Sequence, residues 1–76
     1  MKPFNDIVTE QLGIPKEKIS DALTPADVPE WDSMNYLLFI GELEKQYNIS
    51  FSMDEILGAA SLGAVRALVA SKGISV

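Results

Sequence analysis

The spacing of apolar residues between Ser33 and Tyr47 limits the fold more than any other feature of the chain. Apolar side chains recur there at intervals of three and four residues, which is the period of an α-helix that buries one face. A long helix is therefore predicted, with Asp32 or Ser33 as its N-cap and Asn48 as its C-terminal stop. Its predicted core face is formed by Tyr36, Phe39, Ile40, Leu43 and Tyr47.

Three further segments show the same helical period. Helices are predicted from Pro3 to Leu12, from Ser52 to Gly58 and from Ser61 to about Lys72. The short middle one begins with the Ser52–Glu55 spacing of a capping box. No segment alternates convincingly with the period of a strand, so we expect an all-α, four-helix up-and-down bundle with a short third helix. The inward residues of the first and last helices are predicted to be Phe4, Ile7, Val8, Leu12, Leu62, Val65, Leu68 and Val69.

Residues 14–31 form a long first loop, which three prolines interrupt. Compact domains rarely keep such a loop without a functional reason. Ile19 and Leu23 are predicted to reach the core, and Val28 and Trp31 to lie beside the start of the second helix. For Trp31 the sequence leaves two roles open, packing within the loop and direct contact with a partner.

The composition argues against an enzyme. The chain has 76 residues, which allows one domain over residues 1–76, and it contains neither cysteine nor histidine. Disulfides, thiolate metal sites and Ser–His or Cys–His nucleophilic pairs are therefore excluded. A carboxylate-only mechanism stays open, but the chain is short for building a closed pocket as well. We expect no catalytic residue and no metal site.

The net charge and the N-terminus bear on partners and location. Eleven acids against six bases give a net charge of −5. This argues against nucleic-acid and anionic membrane partners, because phosphates attract clustered Lys and Arg. It suits basic protein surfaces, although the acids also keep a small domain soluble. With no apolar signal region or run long enough to span a bilayer, we expect a cytoplasmic protein. It is also expected to be a monomer.

Ser33 is the candidate site residue. It follows a proline-containing loop and lies at the predicted start of the second helix, where unpaired N–H groups and the helix dipole favour a negative phosphodiester. A serine hydroxyl is a poor nucleophile without a base, so a separate enzyme would have to activate it. The alternative is that Ser33 only caps the helix.

Asp32-Ser33-Met34 resembles the Asp-Ser-Leu attachment site of acyl carrier proteins. Met34 takes the usual leucine position with a side chain of similar volume. A tryptophan at position 31 is unlike the sequences of fatty-acid carriers and more like those of stand-alone carriers of specialised pathways. Three other segments resemble the end of the family's first helix, the end of its second and the start of its last, namely residues 10–14, 42–47 and 61–65.

This resemblance implies a cofactor and a set of partners. Ser33 would carry a covalent 4'-phosphopantetheine arm that holds an acyl or aminoacyl group as a thioester. The partners would be a phosphopantetheinyl transferase, a loading ligase, and condensing or tailoring enzymes. Asp32 would orient the transferase or its metal, or only cap the helix.

The outer face of the second helix departs from that family. Where fatty-acid carriers often have carboxylates, this chain has Asn35, Leu38 and Lys45, while Glu44 keeps an acid. Apolar neighbours beside the serine favour a partner-binding surface. Its predicted members are Trp31, Asn35, Leu37, Leu38, Gly41, Glu44 and Lys45, with Met34 adjacent.

Two alternatives remain open at this point. The aromatic residues of the second helix and Phe51 are either core alone or also line a cargo cavity. The chain itself is either a carrier or an acidic helical module that binds a partner while Ser33 is never modified.

Overall fold

The computed structural model describes residues 2–76 and contains four α-helices. Helix α1 is Phe4–Leu12, α2 is Ser33–Tyr47, α3 is Met53–Gly58 and α4 is Leu62–Ser71. No strand occurs in residues 2–76, so the all-α prediction is confirmed, with its short third helix and long first loop.

The helices end where local chemistry stops them. Gly13 follows α1 with φ 70° and donates its N–H to the Thr9 carbonyl, and this left-handed backbone suits glycine. Asn48 follows α2 with φ 54° and donates to the Glu44 carbonyl. Ser52 and Glu55 form the predicted capping box at the start of α3. Each predicted helix therefore agrees with the structure to within a residue at both ends.

One apolar core joins the four helices. The Phe4 and Phe39 rings meet edge to face with centroids 6.0 Å apart, which links α1 to α2. All four predicted core residues of α1 are buried. The other buried apolar residues of the helices are Phe39, Ile40, Leu43, Tyr47, Ile56, Leu62, Val65 and Val69.

Two predicted core residues are only half-buried. Tyr36 lies in the first turn of α2, at the rim of the bundle, where its hydroxyl bonds to α3. Leu68 lines a shallow hollow between α3 and α4, since the six residues of α3 are too few to cover it. Both pack against the core, as their predicted inward positions require, but neither is fully buried.

The first loop has more structure than its sequence indicates. Lys16–Lys18 form a single 3₁₀ turn that was not predicted. Val28 and Trp31 are buried, while Ile19 and Leu23 are half-buried and pack against the core. Among residues 2–76, every helix falls short of the length and apolar character needed to cross a membrane.

Candidate functional site at the start of the second helix

Asp32, and not Ser33, caps α2. The Asp32 carboxylate accepts the Asn35 N–H at 2.8 Å, and its backbone carbonyl accepts the Tyr36 N–H at 2.8 Å. Ser33 is the first residue of the helix and is exposed. Its hydroxyl has no hydrogen-bond partner among residues 2–76, so it is accessible from solvent and not tied to the fold.

The surroundings of Ser33 fit an arm joined through a phosphodiester. Asp32 accepts the N–H groups of Asn35 and Tyr36. The N–H groups of Ser33 and Met34, at the very start of the helix, have no acceptor within residues 2–76. Together with the positive end of a 15-residue helix, these groups favour a phosphate at this position.

A shallow hollow of about 370 Å³ opens on one side of Ser33. It is lined in part by Trp31 and Tyr36, whose ring centroids are 5.8 Å apart. The Tyr36 hydroxyl donates to the Ile56 carbonyl at 2.7 Å and so ties α2 to α3. Burial also raises the pKa of Tyr36 above its ordinary value. Of the predicted aromatic set, Tyr36 is the member that lines this hollow.

An apolar surface lies on the other side of Ser33. Met34, Leu37 and Leu38 are 73%, 52% and 58% exposed, as the helical phase predicts. We call these three residues the α2 patch. Their exposure is confirmed, whereas their contact with a partner stays a prediction.

Two exposed apolar residues of α3 were missed. Met53 and Leu57 are 61% and 74% exposed, and Leu57 also lines the hollow beside Ser33. Their spacing of four residues puts both on one helical face, which was the available signal. With Ile56 buried between them in sequence, this face points away from the core.

The other predicted partner residues differ in whether they take part in contacts within the fold. Trp31 is only 6% exposed, so packing within the loop is the role that the structure supports. Asn35 donates from Nδ2 to the Glu30 carbonyl at 2.9 Å, and Glu44 accepts the Phe51 N–H at 2.8 Å. These two side chains therefore connect α2 to the loops on either side of it, and their contact with a partner stays a prediction. Gly41 and Lys45 are exposed.

Comparison with protein families gives one finding. A model described as the phosphopantetheine attachment site matches residues 4–69, a range that begins with α1 and ends within α4. Comparison with curated proteins gives no match.

Proposed function

The chain belongs to the family of the phosphopantetheine attachment site, and we propose that it is an acyl or aminoacyl carrier with Ser33 as its attachment residue. In this family 4'-phosphopantetheine is bound covalently. The observation that supports Ser33 most directly is its exposed hydroxyl, left free at the start of α2 because Asp32 supplies the cap.

Attachment at Ser33 is a transfer from coenzyme A. The Ser33 Oγ forms a bond to the phosphorus that carries pantetheine, and the P–O bond of the pyrophosphate breaks. Adenosine 3',5'-bisphosphate leaves with the electron pair of that bond. The hydroxyl proton passes to a base of the transferase, because this chain has no histidine and uses the Asp32 carboxylate as a cap. Once attached, the arm supplies the thiol that a chain without cysteine lacks.

The proposed partners are a phosphopantetheinyl transferase, a ligase that loads the cargo, and condensing or tailoring enzymes. We propose that they bind the α2 patch, with Gly41 and Lys45 extending the surface along α2. The exposed apolar side chains on this face support contact that is apolar more than ionic.

Intact mass tests the attachment site. After incubation with a broad-specificity transferase and coenzyme A, the chain is expected to gain the mass of one phosphopantetheinyl group. Ser33→Ala is expected to gain none while staying folded, and Ser50→Ala, at an exposed loop serine, is the matched control that gains it. An unmodified wild type, or a modified Ser33→Ala variant, would show that the proposal is wrong.

A second function uses the same surface without any arm. The α2 patch consists of three neighbouring apolar side chains that are each more than half exposed, which favours a module that binds a partner helix. Co-expression with a transferase separates the two functions, because the module predicts an unchanged intact mass in cells that modify a known carrier.

A further inference from the structure

The first turn of α4 holds the loop that leads to Ser33. The Leu62 N–H donates to the Leu23 carbonyl at 2.8 Å, and the Gly63 N–H donates to the Asp21 carbonyl at 3.0 Å. Donors at a helix N-terminus have no partner within their own helix. Here two of them are used to fix a loop that is distant in sequence.

Gly63 is the residue that permits this contact. A Cβ at position 63 would lie 2.7 Å from the Asp21 Cβ and 3.0 Å from the Asp21 carbonyl oxygen. The first distance is shorter than Cβ atoms tolerate and the second is tight, so any larger residue would push the loop away from α4. At Gly58, by contrast, an added Cβ meets no atom within 4 Å.

Arg66 strengthens the same contact from the next turn of α4. Its Nε donates to Asp21 Oδ1 at 3.0 Å, and its Nη2 donates to Asn5 Oδ1 at 3.1 Å. The guanidinium also lies over the Phe4 ring, 4.6 Å from the centroid. Asp21 is therefore held through its backbone and its carboxylate, and α1 is joined to the same network.

The two segments that meet at this contact also form walls of the hollow beside Ser33. Pro25, two residues after Leu23, lines the hollow from the loop, and Ala60, two residues before Leu62, lines it from the connection to α4. A turn keeps Pro25 in place, since the Asp27 N–H donates to the Thr24 carbonyl at 2.9 Å. The spacing between these walls thus depends on how closely the loop approaches α4.

We propose that Gly63 and Arg66 are positioning residues that act through Asp21 to set the width of the hollow in which Ser33 is presented. The inference rests on the proposed attachment at Ser33. Neither residue lines this hollow, so each acts through the loop.

The test combines a rate with a spectroscopic signal. Trp31 is the one tryptophan in the sequence and lines the hollow, so its emission reports the spacing of the walls. In Gly63→Ala we expect Trp31 emission to shift to the red and its quenching by acrylamide to increase. Because a misplacement of about 1 Å can lower a rate by about 100-fold, we expect kcat/KM for arm transfer from coenzyme A to fall by about 10- to 100-fold.

Two controls separate positioning from loss of stability. Val69→Ala removes core contacts from the far end of α4 and leaves the contact with Asp21 intact, so it is expected to be less stable with unchanged Trp31 emission and kcat/KM. Gly58→Ala, at a site with open space, is expected to behave as wild type.

A compensating change tests the cause directly. Asp21→Gly removes the Cβ that a methyl group added at position 63 would strike, so the double variant Gly63→Ala, Asp21→Gly is expected to recover part of the emission and rate. If Gly63→Ala does not fold, Arg66→Gln supplies the milder test, with a smaller shift in the same direction.

The outcomes are distinct from those of the attachment test. Wild-type emission and kcat/KM in both Gly63→Ala and Arg66→Gln, or changes no larger than in Val69→Ala, would overturn the positioning role. A wild type that gains no arm would instead disprove the proposed function, while the Trp31 signal would still report the spacing.

Discussion

Ser33 and Asp32 are neighbours with separate roles, and the stabilities of their variants should differ for that reason. Asp32→Ala removes the carboxylate that caps α2, which costs about 1 kcal/mol of unfolding free energy. Ser33→Ala is expected to cost much less, because the hydroxyl bonds to nothing among residues 2–76. Urea denaturation of both variants gives the comparison. Equal losses would mean that the serine hydroxyl shares the capping role.

Leu43 tests the helical phase of α2 at the level of one side chain. It is completely buried near the middle of the helix. Leu43→Ala is therefore expected to cost about 2–5 kcal/mol, a large part of the roughly 5–15 kcal/mol that stabilises most domains. Ala67→Lys, at an exposed position of α4, is the control that should lose little. A reversed order in chemical denaturation would contradict the packing.

At the scale of elements, the sequence predicted what depends on neighbouring residues. Helix bounds follow from caps such as the Ser52–Glu55 box and the left-handed stop at Asn48, and both are local signals. The 3₁₀ turn Lys16–Lys18 was missed because three residues carry no measurable period. Gly63 and Asp21 are close in the structure but far apart in the chain, so no local sequence pattern predicts their contact.

In the candidate site, too, features set by neighbouring residues were predictable and contacts between distant segments were not. Ser33 at a helix start was predictable from the cap and the apolar period. The exposure of the α2 patch also followed from that period. For Trp31 the sequence left loop packing as one of two roles, and only the structure shows that the side chain is buried. The bond from the Phe51 N–H to Glu44 was not predictable, because it depends on where a loop folds back against α2.

The short helix α3 carries a testable dependence on pH. The Ser52 backbone N–H donates to the Glu55 carboxylate and lowers its pKa from the ordinary 4.5, with Lys72 adding to the effect. When the pKa of a carboxyl group is lower in the folded than in the unfolded protein, the charged group stabilises the fold at any pH above the unfolded-state pKa. This stabilisation is lost as the pH falls through the folded-state pKa. Glu55→Gln keeps the shape of the cap without the charge. Its melting temperature is expected to be lower than that of wild type at neutral pH, and the difference should vanish well below pH 4.5. A difference that does not change with pH would contradict this account.

At the scale of the whole molecule, charge and apolar surface are distributed unevenly. Within residues 2–76, four cations are paired with acids, in the pairs Lys2–Glu10, Lys16–Asp6, Arg66–Asp21 and Lys72–Glu55. None of these pairs involves α2, whose outer face carries the α2 patch and the exposed Lys45. The net charge of −5 is therefore a poor guide to how this face meets a partner.

The partner surface can be tested by adding charge to it. Salt weakens binding that depends on exposed charges, because such charges are screened beyond about 10 Å at 0.1 M salt. The α2 patch is apolar, so binding through it should depend only weakly on salt. Leu38→Glu is expected to slow loading by the native ligase sharply without unfolding, because Leu38 is 58% exposed. Ala70→Glu, at an exposed position of α4, is the matched control with the same charge change.

Fatty-acid synthase enzymes should use the wild type poorly and the Leu38→Glu, Lys45→Glu variant somewhat better. Loading rate against salt, with circular dichroism as the folding check, decides the matter. Unchanged loading in Leu38→Glu would show that Leu38 is incidental surface.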